Sequence, residues 1–138
     1  MRITRRSATA TVLGSFTALT TLLAAPITAQ SKDKASRQCL TVLYPFAPDA
    51  HFDFDYYRNK HLAMMSKLYG KSVGRMQVRK GLHKGDGSPP AFLATLTVEI
   101  LSMDGFNAAG KEHLPKLMAD LTNFSNITPV GQIEEIVE

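Results

Sequence analysis

Phe92-Leu93-Ala94-Thr95-Leu96-Thr97-Val98-Glu99-Ile100 is the clearest strand in the chain. With the two-residue period of extended backbone, Phe92, Ala94, Leu96, Val98 and Ile100 share one face, and Leu93, Thr95 and Thr97 on the other tolerate burial. Both faces are therefore expected to be covered. Just before it, Lys84-Gly85-Asp86-Gly87-Ser88-Pro89-Pro90 is a dense turn signal, preceded at residues 72–82 by an alternation that sets Val73, Arg75, Gln77 and Arg79 against Met76 and Val78. These two strands read as a hairpin. Further back, Cys39-Leu40-Thr41-Val42-Leu43-Tyr44 is a β-branched and aromatic run stopped by Pro45, followed by a helix that Asp53 can cap and Gly70 can end after Tyr69. On the other side of the central strand, Ser102 can cap a second helix with Met103, Phe106, Leu114, Leu117 and Leu121 on one side. Gly110 and Pro115 predict a break or kink near His113. Residues 128–137 read as a last strand.

The order is βαββαβ, which defines an α+β, ferredoxin-like arrangement of a four-stranded antiparallel sheet with two helices on one face. The helices cover only that face. Two such sheets packed face to face would cover the other, so a homodimer with an α+β barrel at its centre is expected.

Residues 1–29 read as an address and not as part of the fold. Arg2, Arg5 and Arg6 open it, and an uncharged run follows to Ser31, with an apolar centre too short and too rich in Thr and Ser for a spanning helix, which needs about 20 apolar residues. The Arg5-Arg6 pair resembles a twin-arginine export signal, although the residues after it lack the usual bulky apolar side chain and lysine. An uncleaved amphiphilic anchor is the alternative. The expectation is a signal cleaved near Ala29, a polar tether at residues 30–37 and one domain at 38–138, exported to the periplasm or medium and meeting a membrane only during export. Three of the 16 Lys and Arg residues lie in this leader, and the rest nearly balance the 12 acidic residues. The basic balance of the whole chain therefore gives no support to a nucleic-acid partner. Cys39 is the only cysteine, so no disulfide can form within the chain.

One position in the first helix carries chemistry. At about 100° per residue, Phe54, Tyr57, His61, Met64, Met65 and Leu68 fall within one arc, while Asp55, Asn59, Lys60 and Lys67 point elsewhere. An imidazole in the face that a helix buries either is hydrogen-bonded in the core or lines a cavity.

Several short segments together resemble the EthD family of small dimeric α+β barrel proteins. They are Leu43-Tyr44-Pro45, Phe52-Asp53-Phe54-Asp55-Tyr56-Tyr57 with His61 four residues on, Asn123-Phe124, and Pro129 followed by Gln132-Ile133. The resemblance spans residues 40–137. It implies the barrel fold, a site in a cleft between sheet and helices, and a loose association with oxidoreductases, without assigning a reaction. Relatives of the barrel include cofactor-free monooxygenases of aromatic polyketides, isomerases and cyclases.

His61 is the expected acid or base, because an imidazole titrates near neutrality. Tyr57, one turn earlier, can orient that ring or a substrate, and Tyr44, Phe124, Met65 and His113 complete the expected substrate-binding set. For each a structural role is the alternative: core packing for the tyrosines, Met65 and Phe124, and a surface position for His113. The four histidines at 51, 61, 83 and 113 have no metal-ligand spacing, and no cofactor motif is present. No metal or cofactor is expected. The Asn-x-Ser/Thr patterns at Asn123 and Asn126 are read as chance. Two functional readings follow: a cofactor-independent oxidoreductase, isomerase or lyase for a small apolar or aromatic molecule, or a non-catalytic binding or accessory protein of the cell envelope that holds a hydrophobic ligand or stabilises an oxidative system.

Overall fold

The computed structural model describes residues 37–137, so the expected export signal and nearly all of the tether lie outside the described residues. Four strands and two helices follow in the expected order: β1 Gln38–Pro45, α1 at residues 54–69, β2 Val73–Lys80, β3 Phe92–Ile100, α2 Met103–Ala119 and β4 Val130–Glu135. The strands lie side by side as β2-β3-β1-β4, every neighbouring pair antiparallel. No described helix is long and apolar enough to cross a membrane.

Strand alternation sets the core. Ala94, Leu96, Val98 and Ile100 of β3 are buried, and Leu40, Val42 and Tyr44 of β1 lie opposite them and face the helices. Phe92, at the start of β3, remains 37% exposed. In β2 the simple alternation fails at one place: Val73 pairs with Ile100 and Met76 with Val98, so three residues of β2 span two of β3. This bulge moves Val73 off the face of Arg75 and Gln77 and into the core.

Both helix starts have the expected caps. The Asp53 carboxylate accepts from the Tyr56 N–H at 2.9 Å, and the Ser102 hydroxyl accepts from the Gly105 N–H at 3.2 Å. Gly70, at φ +52°, ends α1 in a conformation that favours glycine. The break expected near His113 is not found. α2 runs unbroken through Gly110 and Pro115, the missing Pro115 N–H being a local loss within a helix whose Leu117 side is held in the core.

α1 is not uniform. An α-helical turn at Phe54–Tyr56 leads into a π-helical segment at Tyr57–His61 and then an α-helix at Leu62–Tyr69. The Leu62 N–H donates to the Tyr57 carbonyl five residues back, which widens the turn by one residue. Tyr57, His61, Met65 and Tyr69 are the buried stripe that results, with Leu62 beside it. Leu62 and Tyr69 were not in the arc drawn from a regular helix, and Phe54, Met64 and Leu68 sit at its margin, half-buried.

Candidate functional site

His61 stands at the inner end of a cleft between the helices and the sheet. The wide π turn brings its ring nearly parallel to that of Tyr57, with centroids 5.1 Å apart and planes at 14°. Phe124 closes on the imidazole from another side at 4.7 Å. Phe124 is held there by a tie between two loops: the Asp53 N–H donates to the Phe124 carbonyl at 2.7 Å, the Ser125 hydroxyl to the His51 carbonyl, and the Asn126 side chain bridges the His51 N–H and the Asp49 carbonyl. The start of α1 and the segment after α2 are thereby locked together.

The carboxylate edge of the site comes from that later segment. Asp120 opens the 3₁₀ turn Asp120–Asn123 that follows α2, and its Oδ2 lies 2.8 Å from His61 Nδ1. Oδ1 accepts from the Tyr56 hydroxyl at 2.8 Å and from the Asn123 amide at 2.9 Å. The two side chains are close to buried, with relative exposures of 10% for His61 and 13% for Asp120. Burial works to raise the Asp120 carboxyl, yet the hydrogen bonds from Asn123, His61 and Tyr56 together hold it below the ordinary carboxylate value. Asp120 is therefore a carboxylate near neutral pH and can only accept, so Nδ1 of His61 carries the proton. In the neutral ring Nε2 is then an acceptor. It has no hydrogen-bond partner among the described residues, and it is not a sealed buried atom.

The tyrosines cannot compete for that role. Tyr44 donates to Tyr57 at 3.2 Å, and the pair is buried. Burial pushes both phenols up, with the neighbouring Tyr44 adding to the rise at Tyr57, so both remain neutral.

These groups border a small, mostly apolar space that opens to solvent at one end. Its wall includes His61, Tyr57, Tyr44, Met65 and Phe124, all named from sequence, together with leucines of α2 and its following turn. His113 is not brought there. Its ring is not among the lining residues, and its Nε2 lies 3.8 Å from Glu112. Asp120 is absent from the sequence reading, and Tyr56 and Asn123 enter it as parts of the family motif, Asn123 also in an Asn-x-Ser pattern, but not as site residues. An acidic residue three positions before an asparagine at the end of an apolar helix was the available signal, and nothing local connects it to His61. Among the described residues no cluster of three or more His, Cys, Asp or Glu is placed to hold a metal ion.

Fold and cleft together define a ferredoxin-like α+β protein with an imidazole in a mostly apolar wall. An EthD-like protein from Ralstonia eutropha JMP134, known from its crystal structure, is 34% identical with a TM-score of 0.70, the match covering 75% of this chain and 94% of that one. This chain belongs to the EthD-like family. An ethyl tert-butyl ether D family protein from Bacillus halodurans C-125 shares the fold at 18% identity and a TM-score of 0.57, over 73% of this chain and 99% of that one. No family model matches the chain, and no curated protein does.

Proposed function

We propose that this protein binds a small, mostly apolar molecule in the cleft and moves a proton on it through His61, without a cofactor. The observation that supports this is the His61–Asp120 pair at the inner end of an apolar cavity, with Nε2 left as an acceptor. A ligand C–H or O–H aimed at Nε2 loses its proton to the ring, and the imidazolium that forms is stabilised by the carboxylate behind it. An isomerase step needs only that transfer and the return of the proton to another atom of the ligand; in a lyase step the freed electron pair expels a leaving group, which takes the proton from the imidazolium. The oxidoreductase reading rests on the family resemblance alone.

The test begins with mass spectrometry of molecules that co-purify with the native protein. The compound found should be transformed by the wild type and left unchanged by His61→Ala, with folding of the variant verified by circular dichroism. A compound that is held but never transformed, and lost in His61→Gln, identifies the accessory or binding role instead. Equal turnover by His61→Ala removes the proposal.

Two further readings belong to this proposal. The leader at residues 1–29 supports export, and N-terminal sequencing of the protein from an osmotic-shock fraction tests it. The uncovered sheet face supports a homodimer.

A further inference from the structure

The cleft does not end where His61 lies. Leu40, Val42, Tyr69, Leu114, Met118 and Pro129 wall both the inner space and a second, wider one, which continues outward between α2 and the β1–β4 edge. No charged side chain lines either part. At the outer end Leu114 is 50% exposed, Met118 46% and Ile133 47%, large apolar groups left facing water along one line.

Two glycines in the outer part add an independent observation. Gly110 is in the interior of α2, where glycine costs about 1 kcal/mol against alanine, and Gly131 is in β4, where it gives up a side chain opposite Val42. Neither has a positive φ. An added Cβ would meet nothing nearer than 3.5 Å at Gly110, from the Tyr69 hydroxyl, or 3.7 Å at Gly131, from Leu40. Backbone conformation and close packing therefore do not demand glycine at either place. What glycine leaves there is open channel.

We infer that the cleft takes an elongated, uncharged amphiphile, with one proton-donating head at His61 and an apolar tail along Leu114, Met118 and Ile133. The inference rests on the reading of His61 above for the head alone. The head reaches the one imidazole that the described residues place in the wall, and the tail covers the exposed apolar line. Facing the neutral ring, with the Asp120 carboxylate behind it, a carboxylate head would be buried without a counter-charge, which is strongly unfavourable.

Isothermal titration with 4-alkylphenols from methyl to hexyl, and with the matching 4-alkylbenzoates, tests this on the full protein. Affinity for the phenols should rise by up to about fourfold per methylene. The benzoates should bind more weakly at every length. Gly131→Val and Gly110→Leu, which suit strand and helix and keep the fold, should weaken 4-hexylphenol by about tenfold or more and leave 4-methylphenol unchanged. A flat chain-length series, benzoates as tight as phenols, equal effects of the glycine variants on both phenols, or no binding of 4-hexylphenol overturns the inference. His61→Ala separates the two readings. If it leaves 4-methylphenol binding intact while the chain-length series persists, the head assignment fails and the channel stands.

Discussion

Asp120 decides which nitrogen of His61 meets a ligand. Its carboxylate fixes the Nδ1 proton and leaves Nε2 as the acceptor, and Tyr56 and Asn123 fix the carboxylate in turn. Asp120→Asn keeps the shape and removes that preference. Ligand binding should then persist within a few-fold while proton transfer slows by about a hundredfold or more, as steady-state rates on the co-purifying compound would show. The same group sets part of the acid stability. Its folded carboxyl lies below the ordinary 3.8, so its stabilisation is complete above that value and is lost as pH falls through the lower folded one. Urea unfolding between pH 5 and pH 2 should show a steeper loss in the wild type than in Asp120→Asn. Parallel curves would show that the carboxylate contributes nothing.

At the scale of the element, the π segment of α1 is what aligns the site. A regular helix leaves Tyr57 and His61 some 40° apart, and the additional residue in the turn brings their rings into a stack. Deleting the exposed Asn59 returns the turn to α geometry and rotates Phe54–Tyr56 by about 100° against the rest of the helix. Phe52 and Asp53 are tied to Ser125 and Phe124, so the rotation cannot be absorbed upstream without breaking that tie. The deletion should lower the melting temperature by several degrees and abolish 4-methylphenol binding, with helical circular dichroism nearly unchanged. Retained binding would mean that the ring finds its place without the wide turn. Helix positions and caps were readable from apolar spacing, Asp53 and Ser102. The π turn was not, because residues 57–61 are an ordinary helical sequence whose widening is imposed by the contacts at its two ends.

At the scale of the domain, the two helices among the described residues leave one sheet face uncovered. It carries Arg75, Gln77 and Arg79 of β2 beside Thr97 and Glu99 of β3, with Arg79 donating to Thr97 at 2.9 Å and to Gln77 at 3.1 Å. Cys39 and Thr41 on the same face are buried within the single chain, and both hydrogen-bond Glu134. The face expected to meet a second copy is therefore polar along β2 and β3, unlike the apolar face against the helices. A homodimer through it would join hydrogen-bonded side chains more than oily surface, and Thr97→Arg, which adds an unpaired charge at its centre, should shift the protein toward monomer. Analytical ultracentrifugation across a concentration series measures this; a monomer at every concentration in the wild type would remove the dimer.

The βαββαβ order, the helix caps, the burial of β3 and the presence of an imidazole on a helix's inner face all follow from patterns a few residues long. Such patterns survive in the chain because period two and period 3.6 are local properties of backbone geometry. The shift of Val73 into the core, the unbroken α2 that keeps His113 out of the cleft, and the pairing of His61 with Asp120 across 59 residues depend on where distant elements end. Those positions are set by packing of the whole domain, where burial of a helix face outweighs a missing N–H at Pro115 and a loop tie at Ser125 and Asn126 decides which carboxylate stands behind the ring.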